Sequence, residues 1–210
     1  MRRIGLTVMP MRRFVLFLVA FGCALTASIG AASADVVTGN CPGASSQPFL
    51  PWADPLFYTL TPDGGFEQGG SGWQLSGGAS VVSGNEPWAV SGPGSHALSL
   101  PAGSSAWSPP ICVGLLHPTL RAFVRSTGVG LLGLGTLLVE ARVTAAGVTL
   151  TVPVGTVVAG SGFQPTLPLP LLANLTSPLS GGSASVQLHF VALGAGFQLD
   201  DVYVDTFKTT

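Results

Sequence analysis

The chain has 210 residues, of which 47% are hydrophobic and only 8% charged, with 29 glycines and 17 prolines. Four of its eight basic residues (Arg2, Arg3, Arg12, Arg13) lie in the first thirteen positions, whereas all nine acids lie from Asp35 onward, so the remainder sets 4 basic against 9 acidic side chains, a net −5. Arg121, Arg125, Arg142 and Lys208 are too few and too scattered to displace phosphate counterions, which excludes a nucleic-acid partner.

In chain order, Arg12-Arg13 precedes an apolar run from Phe14 to Phe21, and small residues follow up to Ala32-Ser33-Ala34. Charged, apolar and A-x-A regions in that order read as a secretory leader, with cleavage after Ala34 leaving Asp35 first. Met11-Arg12-Arg13 restarts the pattern and marks a second possible start. The apolar run is too short to cross a bilayer, so the expectation is a product that is secreted, extracellular or at the cell surface, with no membrane span once the leader is gone. The 176 residues after Ala34 suffice for one domain with a sizeable core. Cys23 leaves with the leader, and Cys41 and Cys112 remain as an even pair in an oxidising compartment, which implies a disulfide.

Residues 35–55, with Pro42, Pro48, Pro51 and Pro55, read as an irregular lead-in tied down by that disulfide, and residues 56–210 as the folded domain. Leu56 to Leu60 is the first strand, stopped by Pro62-Asp63-Gly64-Gly65. Trp73–Ser76 and Ala79–Ser83 are short strands on either side of Gly77-Gly78, a hairpin signal. Leu98 and Leu100 alternate before Pro101; Leu120, Ala122 and Val124 oppose Arg121 and Arg125; Val139, Ala141 and Val143 oppose Glu140 and Arg142; Val186, Leu188 and Phe190 oppose Gln187 and His189. Such alternation predicts half-buried strands with the charged positions facing solvent. Ala146-Gly147 turns one of them into Val148–Val152, and the proline-spaced stretch Gln164–Leu172 reads as an edge or connection. No long stretch has a 3.6 period, so the domain is expected to be all-β, an antiparallel sandwich.

Catalytic and cofactor patterns do not hold up. Gly128-Val129-Gly130-Leu131-Leu132-Gly133 matches G-x-G-x-x-G, but it is followed by strand rather than helix, and no acid occurs between Glu140 and Asp200. His96, His117 and His189 have neither zinc spacing nor a triad setting, and no G-x-S-x-G is present. Asn174-Leu175-Thr176 is a glycosylation sequon that carries weight only in a host that glycosylates such sites. The chain is therefore expected not to be an enzyme.

Three stretches together carry a resemblance. Gly65-Phe66-Glu67 followed by Gly72-Trp73, the alternating Leu120–Val124, and the terminal Leu199-Asp200-Asp201-Val202-Tyr203-Val204 resemble the jelly-roll carbohydrate-binding modules and their galactose-binding-like relatives, over most of Gly64–Phe207. The lead-in from Cys41-Pro42 to Trp52 lies outside that likeness and resembles secreted bacterial proteins. The resemblance implies a jelly-roll β-sandwich in which Glu67 and Asp200 help to hold a structural calcium. Strand parity with Val202 and Val204 would turn Asp200 to the apolar side, where a carboxylate needs either a cation or several N–H donors. It further implies an extracellular glycan as partner. Sugar recognition needs flat aromatic faces left outside the core, for which the expected residues are the loop-flanking Trp88 and Trp107, with Tyr58; Trp73 is expected in the core. The alternative is a structural or adhesive cell-surface component that contacts another protein or itself.

Overall fold

The computed structural model describes residues 41, 43–114, 119–128, 135–145, 147–172 and 183–205, all within one compact unit, Val37–Thr210. Residues 1–34, expected to be a leader, together with His117, the Asn174-Leu175-Thr176 sequon, Lys208 and all but the first residue of the G-x-G-x-x-G stretch, lie outside the described residues. In chain order the strands are β1 (Tyr58–Leu60), β2 (Gln74–Ser76), β3 (Ser80–Ser83), β4 (His96–Leu100), β5 (Ser105–Trp107), β6 (Ile111–Gly114), β7 (Thr119–Ser126), β8 (Thr136–Ala145), β9 (Val148–Val157), β10 (Gln164–Pro165), β11 (Leu169–Pro170), β12 (Ser183–Leu193) and β13 (Phe197–Asp205). A 3₁₀ turn, Leu50–Trp52, precedes them. No helix among the described residues is long and apolar enough to cross a membrane.

The strands form two antiparallel sheets, a jelly-roll β-sandwich. The seven-stranded sheet runs β10-β7-β13-β4-β3, with β1 added beside β13 and β11 beside β7; the six-stranded sheet runs β2-β5-β12-β8-β9, with β6 beside β12. Alternation decides what lies between them: Leu98 and Leu100, Leu120, Ala122 and Val124, Val139, Ala141 and Val143, and Val186, Leu188 and Phe190 all join one core with Phe66 and Trp73. Period-2 patterning supplies each sheet with one such face, and the two faces meet.

The opening glycine loop and the last strand are joined directly. Thr61 N donates to Val202 O and Val202 N donates to Gly64 O, at 2.9 and 3.1 Å. A Cβ at position 64 would sit 2.8 Å from Val202 O, so only glycine allows this approach.

Three expectations are corrected. Gly77-Gly78 closes no hairpin: β2 pairs with β5 in one sheet and β3 with β4 in the other, so the two glycines, at φ 67 and 89, carry the chain across the sandwich. β7 is buried on both faces, because the lead-in lies over its outward side; Arg121 is 4% exposed. Asp200 does not follow the parity of Val202. Register passes from Asp200↔Phe123 to Tyr203↔Arg121, one extra residue on β13, and Asp201 takes up the bulge at φ 48. Asp200 therefore shares the outward side with Phe123. β8 and β9 do pair antiparallel as a hairpin, with Ala145↔Val148 as the last partners.

The lead-in is held at two places. Cys41 is disulfide-bonded to Cys112 of β6. Further on, Phe49 inserts against the seven-stranded sheet, stacked on Phe123 at 5.5 Å and edge-on to Tyr58 and Tyr203. Arg121 lies over the Phe49 ring and pairs with Asp54 at 2.5 Å.

Candidate functional site

Most acids in this charge-poor chain bind backbone N–H groups of loops. Asp63 accepts from Gln68 N and Ser71 N, shaping the glycine loop. Glu86, 2% exposed, accepts from Trp88 N and Val90 N, while its own N–H donates to Asp200 Oδ2 at 2.9 Å. Asp200 Oδ1 accepts from Asp201 N, and Asp201 Oδ2 from Ser91 N. The bulge of β13 thus fastens the loop that carries Trp88. Burial, with the neighbouring Asp201 and Glu86 charges, pushes the Asp200 carboxyl up to about 8 against the two backbone donors. Burial and the charges of Glu86 and Glu67 push Asp201 up to about 6.

Glu67 is bound elsewhere, accepting from Ser95 N and His96 N at 2.7 and 2.8 Å and facing His96 Nδ1 at 3.1 Å. Slight burial acts to raise its pKa, and these hydrogen bonds outweigh it, leaving the carboxyl below its ordinary value. Glu67 and Asp200 therefore share no hydrogen-bond partner. Among the described residues no three His, Cys, Asp or Glu side chains converge as a metal-binding group. The two carboxylates expected to hold calcium are thus each hydrogen-bonded to a different loop, Asp200 to Glu86 N and Asp201 N, Glu67 to the Ser95-His96 segment. Ser95 Oγ and Glu67 both lie on His96 Nδ1. A serine-hydrolase relay needs them on opposite ring nitrogens.

The three aromatics expected to meet a ligand are not brought together. Tyr58 is fully buried, its hydroxyl donating to Asp54 Oδ2 at 2.8 Å, and offers no ring face to solvent. Its acidity is suppressed by that burial and by Asp54. Trp88 is 43% exposed but packs edge-on against Trp52 and tilted on Phe123, on the lead-in side of the molecule. Trp107, half-buried, stands on the other sheet.

Around Trp107 the register assembles a polar row across four adjacent strands. Gln74 of β2 lies opposite Trp107 of β5, Trp107 opposite His189 of β12, and His189 opposite Glu140 of β8. Directly paired residues share a face, so these four point outward together, as do Gln187 and Arg142, paired two positions along. The His189 ring stacks on Trp107 with centroids 3.9 Å apart and planes 3° apart. His189 Nδ1 meets Glu140 Oε2 at 2.9 Å. The Arg142 guanidinium carbon lies 3.8 Å from the Trp107 ring centroid. A flat aromatic is thereby fixed beside a cation, a carboxylate and amide groups, on an open sheet face rather than in a pocket. The cleft of about 430 Å³ beside the disulfide contains none of these residues.

Sequence reading reached Trp107 but passed over His189, Glu140 and Arg142, taking them as solvent-facing members of alternating strands. They do face outward. The signal was that two segments, Val139–Val143 and Val186–Phe190, each place long polar side chains, not Ser or Thr, opposite their apolar triplets; only the pairing of β5, β12 and β8 turns that into a site.

No protein-family model matches the chain, and neither does any curated protein. Among solved structures it is similar to the CBM22-1 and GH10 modules of an endo-1,4-β-D-xylanase from Clostridium thermocellum complexed with xylohexaose, at 14% identity and TM-score 0.49 over 69% of this chain and 28% of that one. A CBM22-1 xylan-binding domain from Paenibacillus barcinonensis aligns at 15% identity and TM-score 0.43, over 70% of this chain and 93% of that one. A family 11 carbohydrate-binding module from Clostridium thermocellum, in complex with a β-1,3-1,4-mixed-linked tetrasaccharide, aligns at 12% and 0.42, over 70% and 95%. The chain thus spans under a third of the xylanase chain and nearly the whole of the two isolated modules.

Proposed function

We propose that this chain is an exported, non-catalytic carbohydrate-binding domain that holds a polysaccharide on the outward face of its six-stranded sheet, around Trp107. The observation that carries the reading is the Trp107 ring, held in place by His189 and Arg142 with Glu140 beside them. His189 and Arg142 take up the faces of the ring, so what it offers a sugar is its apolar edge, with Gln74, Gln187 and Arg142 beside it to meet the hydroxyls. Rigid positioning of that ring lowers the ordering cost of binding. The test is a pull-down on insoluble xylan, cellulose and mixed-linkage glucan with the parent, Trp107→Ala and Trp88→Ala. Binding that is lost in Trp107→Ala and kept in Trp88→Ala is expected. Loss confined to Trp88→Ala moves the site to the lead-in side, and no binding by the parent rejects the reading.

A second reading, a surface component that contacts proteins or itself, is favoured by β9. This edge strand holds no charged residue and exposes Val148 at 58% and Leu150 at 56%. Pro153 and the register shift opposite Val139-Glu140 blunt the second half of this edge, which leaves Val148–Val152 as the stretch open to strand pairing. Concentration-dependent mass in sedimentation, abolished by Leu150→Lys, is its signature.

A further inference from the structure

Resting on the carbohydrate reading, we propose that the Trp107 face is built for an acidic polysaccharide, one bearing uronic-acid carboxylates, and that Arg142 is the residue that recognises the carboxylate. The three arginines among the described residues differ in what occupies them. Arg121 spends Nε on Thr166 O and Nη1 on Asp54. Arg125 spends Nε on Gln198 Oε1 and lies 5.0 Å from the Phe163 ring. Arg142 makes neither a hydrogen bond nor an ion pair among the described residues, and its one contact of this kind is the Trp107 ring at 3.8 Å.

That contact matters chemically. A guanidinium resting on an aromatic face uses its π surface and keeps its N–H groups at the periphery, in the planar fork that matches a carboxylate bidentately. Stacking also removes much of the side-chain freedom that binding would otherwise have to restrict. The nearest outward acid on the same strand, Glu140, is turned to His189, with Nδ1 and Oε2 2.9 Å apart. An uncommitted cation is notable in a chain whose acids outnumber its bases 9 to 4 beyond the leader. The Trp107 ring carries His189 and Arg142 on its faces, 3.9 and 3.8 Å from its centroid, so a ligand meets the ring's edge and the Arg142 fork rather than a bare aromatic face. A carboxylate is the ligand group that this fork fits.

The experiment compares two forms of one polymer, native polygalacturonate and the same material with its carboxyl groups reduced to primary alcohols. Affinity electrophoresis or calorimetry is run on the exported chain and on Arg142→Gln and Arg142→Lys, with circular dichroism confirming the fold of each. Native polymer is expected to bind at least tenfold more tightly than the reduced form, with an affinity that falls as sodium chloride rises from 50 to 500 mM. Arg142→Gln is expected to bring the native polymer down to the level of the reduced one. Arg142→Lys, which keeps the charge and lacks the fork, is expected to fall between. Equal affinity for the two forms, or an Arg142→Gln variant that still prefers the native one, overturns the acidic-ligand proposal and leaves the carbohydrate reading standing. Binding to neither form, nor to neutral xylan or glucan, overturns both.

Discussion

The two outward faces of the sandwich start from the same alternation and are used in opposite ways. On the seven-stranded sheet, the outward positions Arg121, Phe123 and Tyr203 lie under the lead-in, which drives Phe49 and Trp52 onto them. Its cation is 4% exposed and paired with Asp54. On the six-stranded sheet, Trp107, His189, Glu140 and Arg142 form a comparable set of aromatic and charged groups with nothing from the chain laid over them among the described residues. Composition alone does not separate the two sets; coverage does. A buried ion pair under aromatic rings is a structural element that holds the lead-in, and the same chemistry left open is available to a ligand.

If coverage is what divides the faces, breaking the covered one should unfold the protein. The largest effect is expected from removing the disulfide. Its partners are 71 residues apart, and a loop of that length is worth about 4 kcal/mol on the chain-entropy model. Cys41→Ser with Cys112→Ser should therefore lower the melting temperature by roughly 10 °C, with Trp88 fluorescence changing before the far-ultraviolet dichroism as the lead-in detaches. Phe49→Ala comes next. Truncating a fully buried phenylalanine costs about 3 kcal/mol or more, and it also uncovers Arg121. A melting temperature within two degrees of the parent in both variants would mean that the lead-in only decorates the sheet.

A smaller effect sharpens the contrast through pH, at the bulge that fastens the Trp88 loop. Asp200 and Asp201 have folded-state pKa values raised to about 8 and about 6. The folded protein thus keeps protons that the unfolded chain gives up near pH 4. The stability they contribute is complete below about pH 4 and is lost as pH rises through 6 and then 8. The melting temperature should therefore fall between pH 5 and pH 9, and Asp200→Asn, which keeps the shape without the charge, should flatten that fall. Recovery of the parent at pH 9 on adding millimolar calcium, reversed by chelator, would instead make a cation the neutralising group and reinstate the calcium expected at Glu67 and Asp200.

Much of the core was legible because β7, β8 and β12 carry uninterrupted alternation, and a period-2 pattern states which residues face inward without any knowledge of partners. Trp73 was legible as core from its place at the entry to a strand beside the opening glycine motif, and it is 8% exposed. The bulge was not legible: a single αL residue, Asp201, reverses the parity of everything before it, and Asp tolerates that conformation without announcing it. Nor was the covering of Arg121, since prolines at 48, 51 and 55 mark an irregular segment but not the surface on which Phe49 lands. The site itself was hidden by register. Trp107 and His189 are 82 positions apart and His189 and Glu140 are 49 apart, and nothing local to any of them specifies the pairing.

The smallest expected effect on stability is the most informative about function. Trp107→Ala removes a half-buried ring from the sheet surface and loses its stack on His189 and its contact with Arg142 without opening a cavity in the core, so the cost should be about 1 kcal/mol, two to four degrees of melting. Phe49→Ala, by contrast, removes a ring that four others and a guanidinium pack against. The paired measurement is melting temperature against polysaccharide affinity for both variants. A Trp107→Ala protein that melts like the parent and has lost its affinity, set beside a Phe49→Ala protein that melts early and still binds at low temperature, assigns one face to folding and the other to the ligand. Should Trp107→Ala melt as early as Phe49→Ala, the ring would be holding the strands of the six-stranded sheet in register, and the open face would be structural as well.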